Sequence, residues 1–372
     1  MKVTANAFDR LWDACRSDVL AATEAVGASG WWILGQQVSG FETDLAHFCN
    51  VSNAVGCANG MDAIEIALRA IGIGPGDKVL TTPLSAFATA LAITRAGAEP
   101  VYADVTEDGL LDPAAVEEAF AVHPGMRAVL PVHLYGHLAD CVKLAEIAQR
   151  GGAAPVEDAA QAIGASRCGV QVGQYGNATC FSFYPTKNLG AIGDAGAIVT
   201  PDAAIAARAK IIRNYGQGEK YVHSELGLNS RLDELHAAIL RTAFLPRLAE
   251  WTERRRSIAA TYLDNIRNIH VRCIAGPDIR GSVWHLFPVL VAPNRRLEFV
   301  AYLAAQGLQA NLHYPIVIPD QAAMHKHGKP LAVGNLKNAR HLAESEVSLP
   351  INAFLQEDEI GHVVDTVNGW QG

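Results

Sequence analysis

No C-x-x-C pair occurs in this chain of 372 residues, and its seven cysteines (15, 49, 57, 141, 168, 180, 273) are odd in number. A disulfide framework is therefore not expected, and a reducing, cytoplasmic setting suits the composition. Basic excess is lacking too. The formal net charge of −8 leaves no electrostatic footprint for a nucleic-acid backbone, so no nucleic-acid partner is expected. The one basic run, "ERRRS" at 253–257, falls in a helical pattern and reads as a solvated face. Long apolar runs are missing as well. The opening "MKVTANAFDRLWDACRSDVL" carries charges throughout, so neither a signal peptide nor a membrane span is expected. Low-complexity segments and internal repeats are absent.

What is present is a globular composition, half hydrophobic and 18% charged, long enough for a large core and two domains. Seven apolar runs read as strands: "NAVGCA", "DKVLTT", "EPVYAD", "RAVLPVH", "AAPVED", "ATCFSF" and "GAIVT". Helical patterns separate them. In "GMDAIEIALRAI", Met61, Ile64, Leu68 and Ile71 recur at spacings of three and four. Apolar strands alternating with helices predict an α/β domain with a mainly parallel, seven-stranded sheet flanked by helices. Ligands of such sheets sit in loops beyond the strands' carboxyl ends. The segment from Asn229 to about 266 reads as a long helix interrupted near Pro246. Beyond it, "SVWHLFPVLVA" and "LQANLHY" are strand-like and "RRLEFVAYLAAQ" is helical, with two more helical patterns after Asn335. The expected division is a large domain over 1–249, entered through N-terminal helices in 1–50, and a smaller C-terminal α+β domain over 250–372.

Three short stretches could carry chemistry. "GIGPGD" (72–77) does not, because it lies between a helix and a strand, the reverse of the order a dinucleotide fingerprint needs. "CANGMDAIEIAL" has the useful order: a strand ends, Asn59–Gly60 turns, and a helix begins. Free amides at such a helix start bind anions, and Gly60 admits a phosphate close to the backbone. A helix merely capped there, with Asp62 complementing its dipole, remains the alternative. Asp158 directly follows the apolar strand of "APVEDAAQAIG", which suits either a cap for the next turn or a partner for a buried cation. In "FSFYPTKNLG", the five residues before Lys187 are uncharged. An apolar setting penalises the ammonium form and favours a nucleophilic amine. An anion cradle, an aspartate and such a lysine together match pyridoxal phosphate, which needs a phosphate site, a carboxylate facing its ring nitrogen and an amine for a Schiff base. An ion pair at about 4 Å contributes roughly 4 kcal/mol at an effective dielectric of ~20. That corresponds to about three pKa units, enough to keep the ring nitrogen protonated. His133 and His137 leave a strand for a loop, so their spacing implies no helical metal face. "HKHGK" (325–329) reads as a loop, and no metal site is expected.

The same residues carry a family resemblance. "ANGMDAIEIALRAIGIGPGDKV", "PVHLYGH", "VEDAAQAIGA", "FSFYPTKNLGAIGDAGAIVT", "RNYGQGEKY", "GLNSRLDELHAAIL" and "HYP" occur in this order. The chain resembles the DegT/DnrJ/EryC1/StrS family of sugar aminotransferases, pyridoxal-phosphate enzymes of fold type I. The resemblance implies that Lys187 holds the cofactor and shuttles protons, and that Asp158 pairs with the ring nitrogen. It implies further that Gln161 contacts the ring hydroxyl and that Gly60, Met61 and Ser182 bind the phosphate. Asn229 would reach the phosphate of a neighbouring subunit in a homodimer, with Arg231 holding its loop. His313, Tyr314, Tyr184 and Tyr221 would line the substrate site, Tyr184 as a pocket wall.

Three departures from the family pattern stand out. An aromatic normally stacks on the ring shortly after a "P-x-x-T" stretch. Anchoring on "ATALA" places Ala86 there and Phe87, the candidate, one residue late. Pro319 stands where many members have histidine, and Ala195 where glycine is usual. The implied reaction moves an amino group from L-glutamate, through the pyridoxamine form, to a nucleotide-linked keto sugar. "NGMDA" and "RNYGQGEKY" resemble the dTDP-3-keto-6-deoxyhexose branch, which gives a 3-amino sugar. A 4-keto substrate is the alternative, ahead of a sugar dehydratase or a non-catalytic relative.

Overall fold

A computed structural model describes residues 1–372, the side chain of His327 excepted. That side chain belongs to the "HKHGK" stretch, whose backbone makes a single tight turn at Met324–His327 rather than an open loop. The seven apolar runs form strands β1 (Asn53–Cys57), β2 (Lys78–Thr81), β3 (Glu99–Tyr102), β4 (Met126–Leu130), β5 (Ala154–Asp158), β6 (Ala178–Ser182) and β7 (Gly196–Thr200). All seven join one sheet in the order β1-β7-β6-β5-β4-β2-β3. β7 runs antiparallel to both neighbours, and the pairs from β6 to β3 are parallel. Two helices, α1 (Phe8–Ser29) and α2 (Gln36–Phe48), precede the sheet, and the crossovers that parallel pairing requires run through α3 (Gly60–Ala70), α4 (Phe87–Arg95), α5 (Pro113–Val122) and α6 (Cys141–Arg150). The strands are buried on both faces, which is why they read as unbroken apolar runs rather than alternating ones.

The sheet has an eighth strand. Leu331–Ala332 pairs parallel to Val101–Tyr102 at the outer edge of β3. A two-residue strand carries no periodic signal, so the count of seven falls short by this one, contributed from the C-terminal part. A separate antiparallel sheet joins Arg272–Cys273, Phe287–Leu290 and Glu346–Leu349. It shares a core with the long helix Leu248–Asn265, with Arg296–Ala305 and with Glu357–Gly369. "LQANLHY" forms only isolated bridges, Leu308 to Val3 and Asn311 to Ser348. The interruption expected near Pro246 is present: Glu234–Ile239 passes through a π-turn (Leu240–Phe244) and a tight turn (Leu245–Arg247) before the helix resumes at Leu248. Within "ERRRS" the solvated-face reading fails for Arg255. Its guanidinium is buried and donates to the carbonyls of Trp284 and Ile351. No helix is long and apolar enough to cross a membrane.

Candidate active site

The site is assembled at the carboxyl ends of β1, β4, β5 and β6. Asn59 caps α3, its Oδ1 accepting the Asp62 amide at 2.8 Å. Among the described residues, the two preceding amides, of Gly60 and Met61, find no acceptor. The turn is closely packed: a Cβ on Gly60 would lie 2.6 Å from Cβ of Ser182, and one on Gly196 would lie 2.4 Å from the carbonyl carbon of Asn59. Two free amides beside a serine hydroxyl make an anion cradle.

Asp158 ends β5 and is 4% exposed. Its Oδ2 accepts from Thr89 Oγ1 at 2.8 Å and its Oδ1 from the Ala160 amide at 3.1 Å. Burial pushes its pKa up, and these two bonds and the charge of Lys187 oppose the rise. Thr89 was not legible as a site residue, since it lies inside the apolar "ATALA" pattern. Burial lowers the Lys187 pKa to about 8, with Asp158 acting against the shift. The turn that carries Lys187 closes through its amide to the Tyr184 carbonyl at 2.8 Å.

Gln161 is fixed from two sides. Its Oε1 accepts the Tyr135 amide at 2.7 Å and its Nε2 donates to Tyr314 Oη at 3.3 Å. Tyr135 has a left-handed backbone (φ 64°), and its hydroxyl donates to the His313 carbonyl at 3.0 Å. The "HLYGH" turn thereby joins the sheet to "HYP". His313 lies near enough to Lys187 to feel its charge, and burial holds the imidazole down at about 4. His285, which the sequence did not single out, is buried beside Lys187, with Nδ1 3.1 Å from Asn188 Oδ1.

Phe87 is not brought to this cluster. It opens α4 and lines a separate cavity of about 510 Å³ with Leu91, Met324 and Leu331. Thr89 of the same helix is held at Asp158, and Ala86 is its cap residue. No contact here ties Phe87 to Asp158, Gln161 or Lys187, and the stacking expected of it gains no support. Tyr184 is half exposed, Tyr221 is 80% exposed and Asn229 is exposed. Asn229 bridges to Asn214, which accepts from Arg231 at 3.2 Å, so the arginine holds the loop. Behind the site, His133 Nε2 meets Glu157 Oε2 at 2.9 Å, with Cys141 3.5 Å from the same oxygen. The other Glu157 oxygen accepts from Thr179 and the Gly176 amide. These groups satisfy one another as a buried network. His137 packs edge-on against Trp284 at 4.9 Å.

A parallel α/β sheet that presents a free-amide cradle, a buried carboxylate and a desolvated lysine defines a protein class that anchors a phosphorylated aldehyde cofactor. The chain belongs to the DegT/DnrJ/EryC1/StrS aminotransferase family, whose pattern matches residues 14–368. It is 42% identical over 362 residues (96% of this chain, 93% of the relative) to dTDP-3-amino-3,4,6-trideoxy-α-D-glucose transaminase of Streptomyces venezuelae. It is 38% identical over 352 residues (95% and 93%) to a UDP-N-acetyl-3-dehydro-α-D-glucosamine 3-aminotransferase of Acidithiobacillus ferrooxidans. Among solved structures, S. venezuelae DesV in complex with a ketimine intermediate superposes with a TM-score of 0.93 at 40% identity, covering 99% of this chain and 98% of that one.

Proposed function

We propose that this chain is a pyridoxal-phosphate-dependent transaminase that moves an amino group from L-glutamate to a dTDP-linked 3-keto-6-deoxyhexose, giving a 3-amino sugar. The observation that carries the reading is a lysine of lowered pKa near enough to a buried carboxylate to feel its charge, in a fold that also leaves free amides at the start of α3. The near full-length likeness to the dTDP-3-amino sugar transaminase supports the substrate. When bound, the cofactor supplies an electron sink for the carbon that gains or loses the amine. Gly60, Met61 and Ser182 would hold its phosphate, Asp158 its ring nitrogen and Gln161 its ring hydroxyl. Lys187 Nζ would take and return the proton at the reacting carbon. His313, Tyr314 and Tyr184 would bound the sugar pocket. Exposed Asn229 and Tyr221 would complete the site of a second subunit in a homodimer. Cysteines that are all free fit a cytoplasmic enzyme.

The test is the visible absorption band of cofactor-loaded protein before and after adding L-glutamate, followed by a panel of 3-keto and 4-keto dTDP sugars. Bleaching by glutamate and recovery with the 3-keto sugar support the reading. Recovery with the 4-keto sugar alone overturns the position of amination.

A further inference from the structure

Glu346 is a buried carboxyl with no part in the chemistry above. Its Oε2 accepts the backbone amide of His313 at 2.7 Å. Its Oε1 is met by the Ser348 hydroxyl, which also lies 2.8 Å from Nδ1 of His313. Nε2 of the same ring has no partner among the described residues and is not sealed from solvent. His313 lines a cavity of about 110 Å³ together with Thr186, His285 and Asn311, and it feels the charge of Lys187.

A serine hydroxyl carries one proton, so the two bonds through Ser348 cannot be oriented independently. With Glu346 ionised, Ser348 donates to Oε1 and must accept from Nδ1–H, which leaves Nε2 bare. With Glu346 protonated on Oε1, the carboxyl donates to Ser348 and Ser348 donates to Nδ1. The ring then presents Nε2–H. The two states differ by one proton on the whole cluster. A proton arriving at Nε2 moves Nδ1–H to Ser348 and the serine proton to Glu346, and the imidazole stays neutral throughout.

We propose that Glu346 and Ser348 are positioning residues that set the tautomer of His313, turning Nε2 between a donor and an acceptor toward the sugar beside Lys187. This rests on the reading that His313 lines the substrate pocket. The two states match the two sides of the reaction: a keto oxygen only accepts a hydrogen bond, whereas an amine product donates. Burial, first among the causes, raises the Glu346 pKa to about 8, and its bonds to His313 and Ser348 and the charge of Arg296 oppose the rise. Tyr135 and Tyr314 also face the carboxyl and stay neutral, their own pKa values raised by burial.

The experiment is ¹⁵N NMR of the cofactor-loaded protein with labelled histidine, from about pH 6 to about pH 10. The His313 signals are assigned by their loss in His313→Gln. The expected result is an Nε2–H pattern below about pH 8 and an Nδ1–H pattern above it, with no change in Glu346→Gln, where the amide locks the donor form. In binding, Glu346→Gln should raise the dissociation constant of the amino sugar about tenfold more than that of the keto sugar. A single tautomer across the range in the wild type overturns the proposal, as does a Glu346→Gln curve that follows the wild type. Equal weakening of both sugars also overturns it. Should Glu346→Gln fail to fold, Ser348→Ala replaces it: the tautomer change should vanish, and its persistence overturns the relay. The tautomer reading needs no substrate, so failure of the aminotransferase reading would appear separately, as a cofactor band indifferent to glutamate.

Discussion

Lys187 sits where two electrostatic effects compete. Removal from water disfavours its ammonium, Asp158 favours it, and burial wins, with the pKa at about 8. The neutral amine attacks an aldehyde, so cofactor uptake by the empty protein should accelerate as pH rises through about 8 and then level off. Stopped-flow absorbance at several pH values checks this, and Lys187→Ala should take up no covalent cofactor. Thr89 is a quieter case. Replacing it with alanine leaves Oδ2 of a buried carboxylate short of a donor, at a cost of about 1–3 kcal/mol. Fluorescence titration should show cofactor affinity about tenfold or more weaker. The lysine and the aspartate were legible because each breaks an apolar pattern. Thr89 was hidden because a threonine inside "ATALA" breaks nothing, and its role appears only when β5 lies beside α4. Glu346 was hidden for a similar reason, since its contact with His313 spans 33 residues of chain.

Among the elements, α3 shows how a turn and a helix start become a binding device. Gly60 is required by proximity rather than by backbone angle, since the nearest neighbour of an added Cβ is Cβ of Ser182 at 2.6 Å. Gly60→Ala should therefore push α3 and β6 apart, destabilise the fold by about 1–3 kcal/mol and weaken phosphate binding. Paired thermal melts with and without cofactor separate the two effects, because the mutant should gain less from the cofactor than the wild type does. Strands at this scale were easy to read, as strands buried on both faces leave continuous apolar runs. Arg255 misled because a charge in a run of charges looks solvated. The backbone carbonyls that hold it belong to segments about 30 and 96 residues away.

For the whole molecule, the proposal that exposed Asn229 completes the site of a second subunit can be tested by complementation. Mixing Lys187→Ala with Asn229→Ala, each expected to be impaired alone, should regenerate activity once subunits exchange, because one of the two sites in a mixed dimer carries neither change. Turnover after co-refolding measures this, and no recovery would mean the residues act within one chain. Global stability should respond to pH through Glu346. Its pKa of about 8 stands above the ordinary carboxylate value of 4.5, so between those values the folded protein holds a proton that the unfolded chain has released. Unfolding free energy therefore falls as pH rises across that window, and Glu346→Gln should flatten the slope in denaturant titrations.

The short strand at Leu331–Ala332 has a consequence of another kind. Without it, β3 would be the rim of an eight-layer ribbon reduced to seven, its outward carbonyls and amides open to any extended peptide that drifted past. Val333 and the pair before it occupy those positions, so the far end of the chain acts as a hem sewn onto the domain translated first. Until that hem arrives, a nascent or clipped chain carries a raw border. Its expected misadventure is edge-to-edge association with its own kind, rather than loss of the sheet itself.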